Sequence, residues 1–324
     1  MRASLPAGEE VKLEDVPCPV CSSRRRSRVI TGVDALYGLP GTWDVYRCRE
    51  CSHAFTSPRP TQESIGVFYP AEYSEHQKEP GRTNPFSEAN ADLVTRLDLP
   101  PGRVLDVGCA AGAFMASMQR RGWHASGIEP SAKAAALASR STGAAVYSSI
   151  GDPSLEIEGT FDAITLWSSL EHTHSPDATL RRLRSLIAPD GRLIGVVPNF
   201  QSFERKVFRR YWFALDLPRH LQHFGPTSLV RTLTDAGFDV LEVNHASGHD
   251  NLRWSLQRRL AKKSSRGARQ TLCWTTRQPR VAMGSESSSS RFKRVAVQGI
   301  TRAADRLNGG SQLTFVARPS TIRG

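Results

Sequence analysis

The residues with the most specific spacing are four cysteines arranged as two C-x-x-C pairs. Cys18 and Cys21 form the first pair and Cys48 and Cys51 the second, with 26 residues between the pairs. Four thiolates at such spacing can surround one Zn²⁺ tetrahedrally at about 2.3 Å and leave no coordination position open for chemistry. The cysteines therefore predict a structural zinc, in a segment too small to have much core of its own.

A glycine-rich turn comes between an apolar run and a helix-forming segment. It reads Asp106-Val107-Gly108-Cys109-Ala110-Ala111-Gly112. Glycines let a backbone approach a ligand and let a helix start close to the preceding strand. Glu129 closes the next predicted strand 23 residues after Asp106, near the interval of about 20 residues at which an acidic side chain meets ribose hydroxyls. The pattern predicts a nucleotide site in a doubly wound sheet.

Three segments in order, LDVGCAAGAF, GIEPS and FDAITLWSSLEHTHSPDATLRRLRSLIAPDGRLIGVVPN, resemble the motifs of class I S-adenosylmethionine-dependent methyltransferases. The resemblance covers about residues 100–245 and the final strand. It implies that the loop at 108–112 holds the methionine part of S-adenosylmethionine, that Glu129 holds the ribose, and that the fourth-strand end lies beside the methyl donor. Ala110 departs from the commonest pattern, which has glycine. The predicted cofactor-binding residues are Asp106, Gly108, Cys109, Ala110, Gly112, Glu129, Ser131 and Trp167.

Methyl transfer is an in-line displacement in which the protein aligns donor and acceptor and, for an oxygen acceptor, removes a proton. A histidine suits that task because its unperturbed pKa of about 6.5 lies near working pH. His172 is the first candidate base, since it follows the fourth strand; the alternative is that it only lines the pocket. His220 and His223, in LPRHLQHFGP, are second candidates, and the alternative for them is a packed turn.

The end of the fourth strand also excludes some chemistry. Some ubiquinone-pathway relatives hold a divalent cation there with Glu-x-x-Glu-His, but Ser168 stands in place of the first glutamate, which argues against a metal in the active site. The segment contains no Asn/Asp-Pro-Pro-Tyr sequence of the kind that methylates exocyclic amines of bases. The motifs therefore favour a small-molecule acceptor.

The elements that must position these residues are strands alternating with helices. The strands are predicted at 104–107, 124–128, 144–147, 161–167, 192–197 and 238–243, with a late strand at 313–317. Such alternation predicts an α/β fold with a largely parallel sheet. Together with the resemblance, it predicts a Rossmann-like, doubly wound, seven-stranded sheet with an antiparallel last strand, preceded by a small zinc-ribbon-like module.

The predicted organisation has six parts. They are a flexible N-terminus (1–16), the zinc module (17–60), a connector (61–99), the methyltransferase core (100–248), a basic and partly mobile insertion (249–310) and the final strand with the C-terminus (311–324). The net charge of +12 falls mostly in the insertion, where 14 basic residues stand against three acidic ones, a surplus of 11. The insertion opens with a predicted basic helix that bears a leucine stripe (Leu252, Leu256, Leu260). The rest of the chain is nearly neutral, so charge does not favour a nucleic-acid-binding face.

The sequence predicts S-adenosylmethionine-dependent O-methylation of a small molecule or saccharide. The segment YRCRECSHAFTSPRP supports this acceptor class, because it resembles a zinc-binding module found ahead of bacterial methyltransferases, many encoded with sugar-modifying functions. One alternative is an RNA methyltransferase whose ribbon recognises RNA; another is a non-catalytic adaptor that docks its basic helix on an anionic membrane or an acidic partner. No signal sequence and no membrane-spanning run of about 20 apolar residues is visible, which predicts a cytoplasmic protein.

Overall fold

The computed structural model describes residues 2–4, 10–70, 84–247, 249–264 and 309–321. The strands are β1 (Arg2–Ser4), β2 (Glu10–Glu14), β3 (Arg26–Gly32), β4 (Trp43–Cys48), β5 (Ala54–Thr56), β6 (Arg59–Pro60), β7 (Arg103–Val107), β8 (His124–Ile128), β9 (Val146–Tyr147), β10 (Phe161–Trp167), β11 (Ile187–Pro198), β12 (Gln222–His223), β13 (Phe238–Ala246) and β14 (Gln312–Pro319). The helices are α1 (Pro85–Thr95), α2 (Ala113–Gln119), α3 (Ala132–Thr142), α4 (Ser154–Glu158), α5 (Pro176–Leu186), α6 (Phe203–Phe208), α7 (Pro226–Asp235) and α8 (His249–Ser264).

The chain forms two compact units. Unit 1 comprises Met1–Tyr69, Pro198–Ser228 and Asn244–Leu313, and unit 2 comprises Pro70–Val197, Leu229–Val243 and Thr314–Gly324. The predicted boundaries keep residues 198–228 with the core, whereas the contacts group them with the N-terminal segment. The physical reason is strand pairing, because β12 adds to β5 in antiparallel register, with Gln222 opposite Phe55.

Unit 2 is built on the seven-stranded sheet, in the order β13-β14-β11-β10-β7-β8-β9. β7 pairs in parallel with β10 on one side and with β8 on the other, and the last strand is antiparallel. The α/β fold predicted from the alternating pattern is thus confirmed. Because β7, β8 and β10 run in parallel, their carboxyl ends meet at one edge of the sheet.

Helix α1 lies in the predicted connector, where the sequence pattern favours no long helix. The side chain of Asn84 accepts from the backbone N–H of Ser87 at 2.9 Å, and Pro85 occupies the first helical turn. Ala91 and Val94 are fully buried and belong to the same apolar core as Met115 of α2. An N-cap followed by proline is a recognised helix start, so this Asn-Pro pair was the signal that could have located α1.

Unit 1 contains two small sheets, ordered β12-β5-β4-β3 and β1-β2-β6. Its core includes Trp43 and Val45 of β4 together with Phe68, Trp212 and Leu217. The N-terminus, predicted to be loose, contains β2, which pairs with β6. Pairing satisfies the backbone groups that would otherwise need water.

Helix α8 confirms the helix predicted at the start of the basic insertion but not its leucine face. Leu252 packs against the unit 1 core, while Leu256 and Leu260 are 47% and 53% exposed. Ser255 is buried instead, and its hydroxyl accepts from the backbone N–H of Phe213 at 2.8 Å. The face of α8 that packs within unit 1 therefore includes Leu252 and Ser255 and leaves out the other two leucines of the stripe. The rest of the insertion, residues 265–308, lies outside the described residues, and no described helix is both long and apolar enough to cross a membrane.

Candidate functional site

The glycine turn joins β7 to α2 at the carboxyl edge of the unit 2 sheet. Gly108 and Gly112 both have φ of +82°. A Cβ on Gly108 would lie 2.9 Å from the Cβ of Ser169, and one on Gly112 would lie 3.1 Å from the Cα of Ala138. Both positions therefore require glycine, for conformation and for space. Ala110 has φ of +47°, a left-handed conformation that costs an L residue roughly 1–2 kcal/mol.

Glu129 ties this turn to the start of α3. It is 7% exposed, and its two carboxylate oxygens accept from the backbone N–H groups of Ala110 at 3.0 Å and Ser131 at 2.8 Å. The Ser131 hydroxyl in turn caps α3, accepting from the N–H of Ala134. These contacts fix the Glu129 carboxylate beside the turn.

Asp106 ends β7 beneath the turn and is 2% exposed. Its Oδ1 accepts from the Thr165 hydroxyl of β10 at 2.9 Å. Burial raises the pKa of the Asp106 carboxyl to about 7; the negative charge of Glu129 adds to the effect and the hydrogen bond from Thr165 opposes it. A cation placed beside this carboxyl would favour its ionised form.

A pocket of about 460 Å³, open mouth included, lies beside Asp106. Its walls include Asp106, Gly108, Ala110, Phe114, Asn90 and Trp167. The Phe114 and Trp167 rings meet edge to face at 5.2 Å between centroids. Sequence reasoning predicts the loop and Trp167 as ligand-binding but not the α1 residues, because the segment before α2 shows no motif for binding.

Two hydrogen-bond donors on these walls have no partner among the described residues. They are Nδ2 of Asn90 and the indole Nε1 of Trp167, both buried. Leaving such a donor buried and unpaired costs about 1–3 kcal/mol. The pocket thus combines two unmet donors with an acidic group, which fits a ligand that carries both an anionic and a cationic group.

Cys109 belongs to the turn through its backbone, and its thiol is not placed to act as a nucleophile. Its side chain is 5% exposed and packs on Gly127, where an added Cβ would lie 2.5 Å from its Sγ. Burial raises the pKa of its thiol, and the charges of Asp106 and Glu129 add to the shift. A neutral thiol is a poor nucleophile.

The chain turns sharply after β10. Ser168 has φ of +55° and donates its backbone N–H to Val196 at 2.9 Å. A 3-10 turn, Leu170–His172, follows, in which Glu171 is buried and His172 is partly exposed. His172 therefore lies one turn beyond Trp167, the strand end that lines the pocket.

The other two candidate bases are buried in unit 1. His220 is 8% exposed, and its Nδ1 lies 2.9 Å from the carbonyl oxygen of Ala214. Burial lowers the pKa of His220, although the Asp216 carboxylate opposes this. His223 is 3% exposed, with Nε2 at 3.0 Å from the Thr56 hydroxyl.

The protons of this cluster can be assigned. The Thr56 hydroxyl donates to the carbonyl of His220 at 2.8 Å, so it can only accept from Nε2–H of His223. Burial lowers the pKa of His223 well below its ordinary value. These contacts match the packed-turn alternative for both histidines.

A buried ion network in the same segment has no counterpart in the sequence analysis. Arg219 is fully buried and donates to Asp34 at 2.7 Å, to Asp216 at 2.7 Å and to the carbonyl of Phe68 at 3.0 Å. Asp34 lies 185 positions from Arg219, so no local spacing pattern could have revealed the pair. The network anchors the segment that bears His220 and His223.

The four predicted zinc ligands converge in unit 1. Sγ atoms lie 3.5 Å apart for Cys18 and Cys51 and 3.4 Å for Cys21 and Cys48, and all four lie within 4.8 Å of one another. Zinc–sulfur bonds of about 2.3 Å give sulfur separations of about 3.8 Å in a regular tetrahedron, so the thiol set fits the ion.

Each cysteine knuckle ends in the same backbone conformation. Ser22 and Ser52, which follow Cys21 and Cys51, have φ of +59° and +61°. The left-handed turn thus forms with serine after both knuckles.

A family model described as a methyltransferase domain matches residues 82–243. The ubiquinone biosynthesis O-methyltransferase of Xanthomonas euvesicatoria pv. vesicatoria (strain 85-10) is 32% identical over 184 residues, 53% of this chain and 76% of that protein. The protein of the same name from Xanthomonas campestris pv. campestris (strain B100) is 30% identical over the same shares. Among solved structures, the [4+2]-cyclase SpnF has a TM-score of 0.50 and 19% identity, covering 82% of this chain and 98% of that one; this likeness is one of fold alone.

Proposed function

The chain belongs to the class I S-adenosylmethionine-dependent methyltransferases, and on that premise we propose that it methylates an oxygen atom of a small molecule or saccharide. The observation that carries the proposal is the match to curated O-methyltransferases at 32% identity over 76% of their length. The end of β10 supports it, because Trp167-Ser168-Ser169 lacks the motif used on exocyclic amines of bases.

The pocket of unit 2 suits S-adenosylmethionine. The resemblance assigns the ribose to Glu129, which two backbone N–H groups fix beside the turn. Asp106 favours a cationic neighbour, and the donors of Asn90 and Trp167 have no acceptor among the described residues. When bound, S-adenosylmethionine supplies a methyl group on a sulfonium, an excellent leaving group. The chain's own residues align the acceptor oxygen with the methyl group, and holding reacting atoms in line lowers the activation barrier by several kcal/mol. The rings of Phe114 and Trp167 give the pocket an apolar wall that limits water.

His172 is the residue proposed to take the acceptor's proton. It follows the strand whose end lines the pocket and is partly exposed. His220 and His223 are disfavoured for this role, because both are buried and hydrogen-bonded within unit 1 and burial holds both pKa values low.

The four cysteines are proposed to hold one structural Zn²⁺. Burial raises the pKa of Cys51 to about 11 and raises that of Cys18 further, so both are thiols without an ion, and zinc binding would release their protons. A closed four-sulfur set leaves no open position for a substrate, so the ion would serve folding rather than the reaction.

Transfer of the labelled methyl group from S-adenosylmethionine tests the acceptor class. Phenols, free sugars, nucleotide sugars and total RNA would be offered to the zinc-loaded protein, and the products analysed for methyl ethers. We expect an ether on a phenol or sugar hydroxyl. Label recovered in RNA would overturn the proposal in favour of the alternative in which the ribbon recognises RNA.

His172→Ala tests the base. General base catalysis contributes about 10²–10⁴-fold, so we expect turnover to fall by at least a hundredfold, while calorimetry gives an S-adenosylmethionine affinity within about twofold of wild type. His124→Ala, at an exposed histidine of β8, is the matched control. Unchanged turnover in His172→Ala would remove the residue from the mechanism.

A further inference from the structure

The walls of the unit 2 pocket carry acidic but no basic side chains among the residues that the structure describes there. Asp106 is the charged residue of the lining, which contains no lysine, arginine or histidine. The amino-acid end of S-adenosylmethionine has an ammonium group, a sulfonium and a carboxylate. The two cations suit an acidic wall, whereas the carboxylate needs N–H donors.

Asn90 offers such a donor. The residue is 7% exposed, and its Nδ2 is buried with no hydrogen-bond partner in the part of the chain that the structure describes. It lies on the inner face of α1 beside Ala91 and Val94, both fully buried. An apolar side chain would complete that face at lower cost, because a buried unpaired amide loses its hydration. The amide is thus unexplained by packing and is accounted for by an acceptor in the pocket.

The helix that presents Asn90 is held against α2. Glu88 accepts from Arg120 at 2.5 Å and from Arg121 at 2.9 Å, and the Ser117 hydroxyl donates to the same carboxylate at 2.9 Å. Because α2 starts directly after the glycine turn, these contacts hold the Asn90 amide in place relative to that turn. A donor fixed in advance loses little entropy when the ligand binds.

We propose that Asn90 binds the carboxylate of S-adenosylmethionine through its side-chain amide and selects ligands that carry this group. The inference rests on the proposed function, in which S-adenosylmethionine is the methyl donor. Asn90 is located at the methionine end of the site because it shares the pocket with Gly108 and Ala110 of the turn.

Calorimetry with two ligands isolates the contact. The probes are S-adenosylmethionine and decarboxylated S-adenosylmethionine, which differ only in the carboxylate. A hydrogen bond to a charged group is worth about 1.5–3 kcal/mol, or roughly a 10- to 150-fold change in affinity. Asn90→Leu should therefore weaken binding of S-adenosylmethionine by at least about tenfold and leave the affinity for the decarboxylated ligand within about twofold.

Two further variants keep the test sharp. Asn90→Asp introduces a carboxylate of the same size. It should weaken the binding of S-adenosylmethionine more than Asn90→Leu does, without weakening the binding of the decarboxylated ligand. Ala89→Leu, on the exposed face of α1, should change neither affinity. The unliganded Asn90→Leu protein should melt no lower than wild type, because the substitution removes an unpaired buried amide; a structural role would lower its melting temperature.

The outcomes separate this inference from the function on which it rests. If Asn90→Leu loses affinity equally for both ligands, or for neither, the role of Asn90 is overturned while the assignment of the methyl donor stands. A wild-type protein that binds neither ligand would overturn the methyl-donor assignment and the inference together.

Discussion

Burial of the Asp106 carboxyl in unit 2 carries an electrostatic cost, and Asp106→Asn should reveal this cost as a pH-dependent gain in stability. The carboxyl is 2% exposed, and its pKa is raised from 3.8 to about 7, first by burial. A shift of about three units corresponds to about 4 kcal/mol. Because the group is buried, solvent screening does not reduce this figure.

The sign follows from proton binding. A folded-state pKa above the unfolded value means that the folded protein binds the proton more tightly. Below pH 3.8 both states are protonated and Asp106 contributes nothing. Above pH 7 both are ionised, and the folded state is destabilised by the full amount. The contribution of Asp106 therefore lowers the stability of the unliganded protein as pH rises between these values.

Urea unfolding of wild type and Asp106→Asn at pH 5 and pH 8, without ligand, measures the effect. Asparagine cannot ionise, so we expect the variant to gain relative to wild type by about 2 to 3 kcal/mol more at pH 8 than at pH 5. Any pH-independent cost of the substitution cancels in this comparison. Asp190→Asn, at an exposed site, should show no such change. A stability difference for Asp106→Asn that is the same at both pH values would refute the reasoning.

Three further changes test other contacts. Gly127→Ala would place a Cβ 2.5 Å from Sγ of Cys109 and 2.8 Å from Sδ of Met115, so thermal unfolding should show a loss of about 1–3 kcal/mol that Cys109→Ala partly restores. Arg219→Met should lower the free energy of unfolding in urea by about 3–5 kcal/mol, because Asp34 remains buried without its cation. The double variant with Asp34→Leu should recover part of this loss. If the losses of the two single variants simply add in the double variant, the pairing is contradicted. Native mass spectrometry should find one zinc per chain in protein purified without chelator and none in Cys48→Ser; a metal-free wild type would remove the zinc proposal.

The sequence by itself determined the sheet of unit 2 and the two motifs whose geometry is local. The strand ending at Asp106 and the turn with Gly108 and Gly112 are encoded within a few residues, because the alternation of apolar runs and the conformational freedom of glycine act at short range. The cysteine pairs are equally local, since two residues between thiols suffice to form each knuckle.

Only the tertiary structure decided which distant segments share a site. Asn90 lines the pocket because α1 packs on α2, and Arg219 meets Asp34 across 185 positions. The exposure of Leu256 and burial of Ser255 likewise depend on what α8 packs against. Such pairings arise from the packing of elements far apart in the chain, which leaves no periodic signal in the sequence, whereas a turn or a knuckle carries its own geometry.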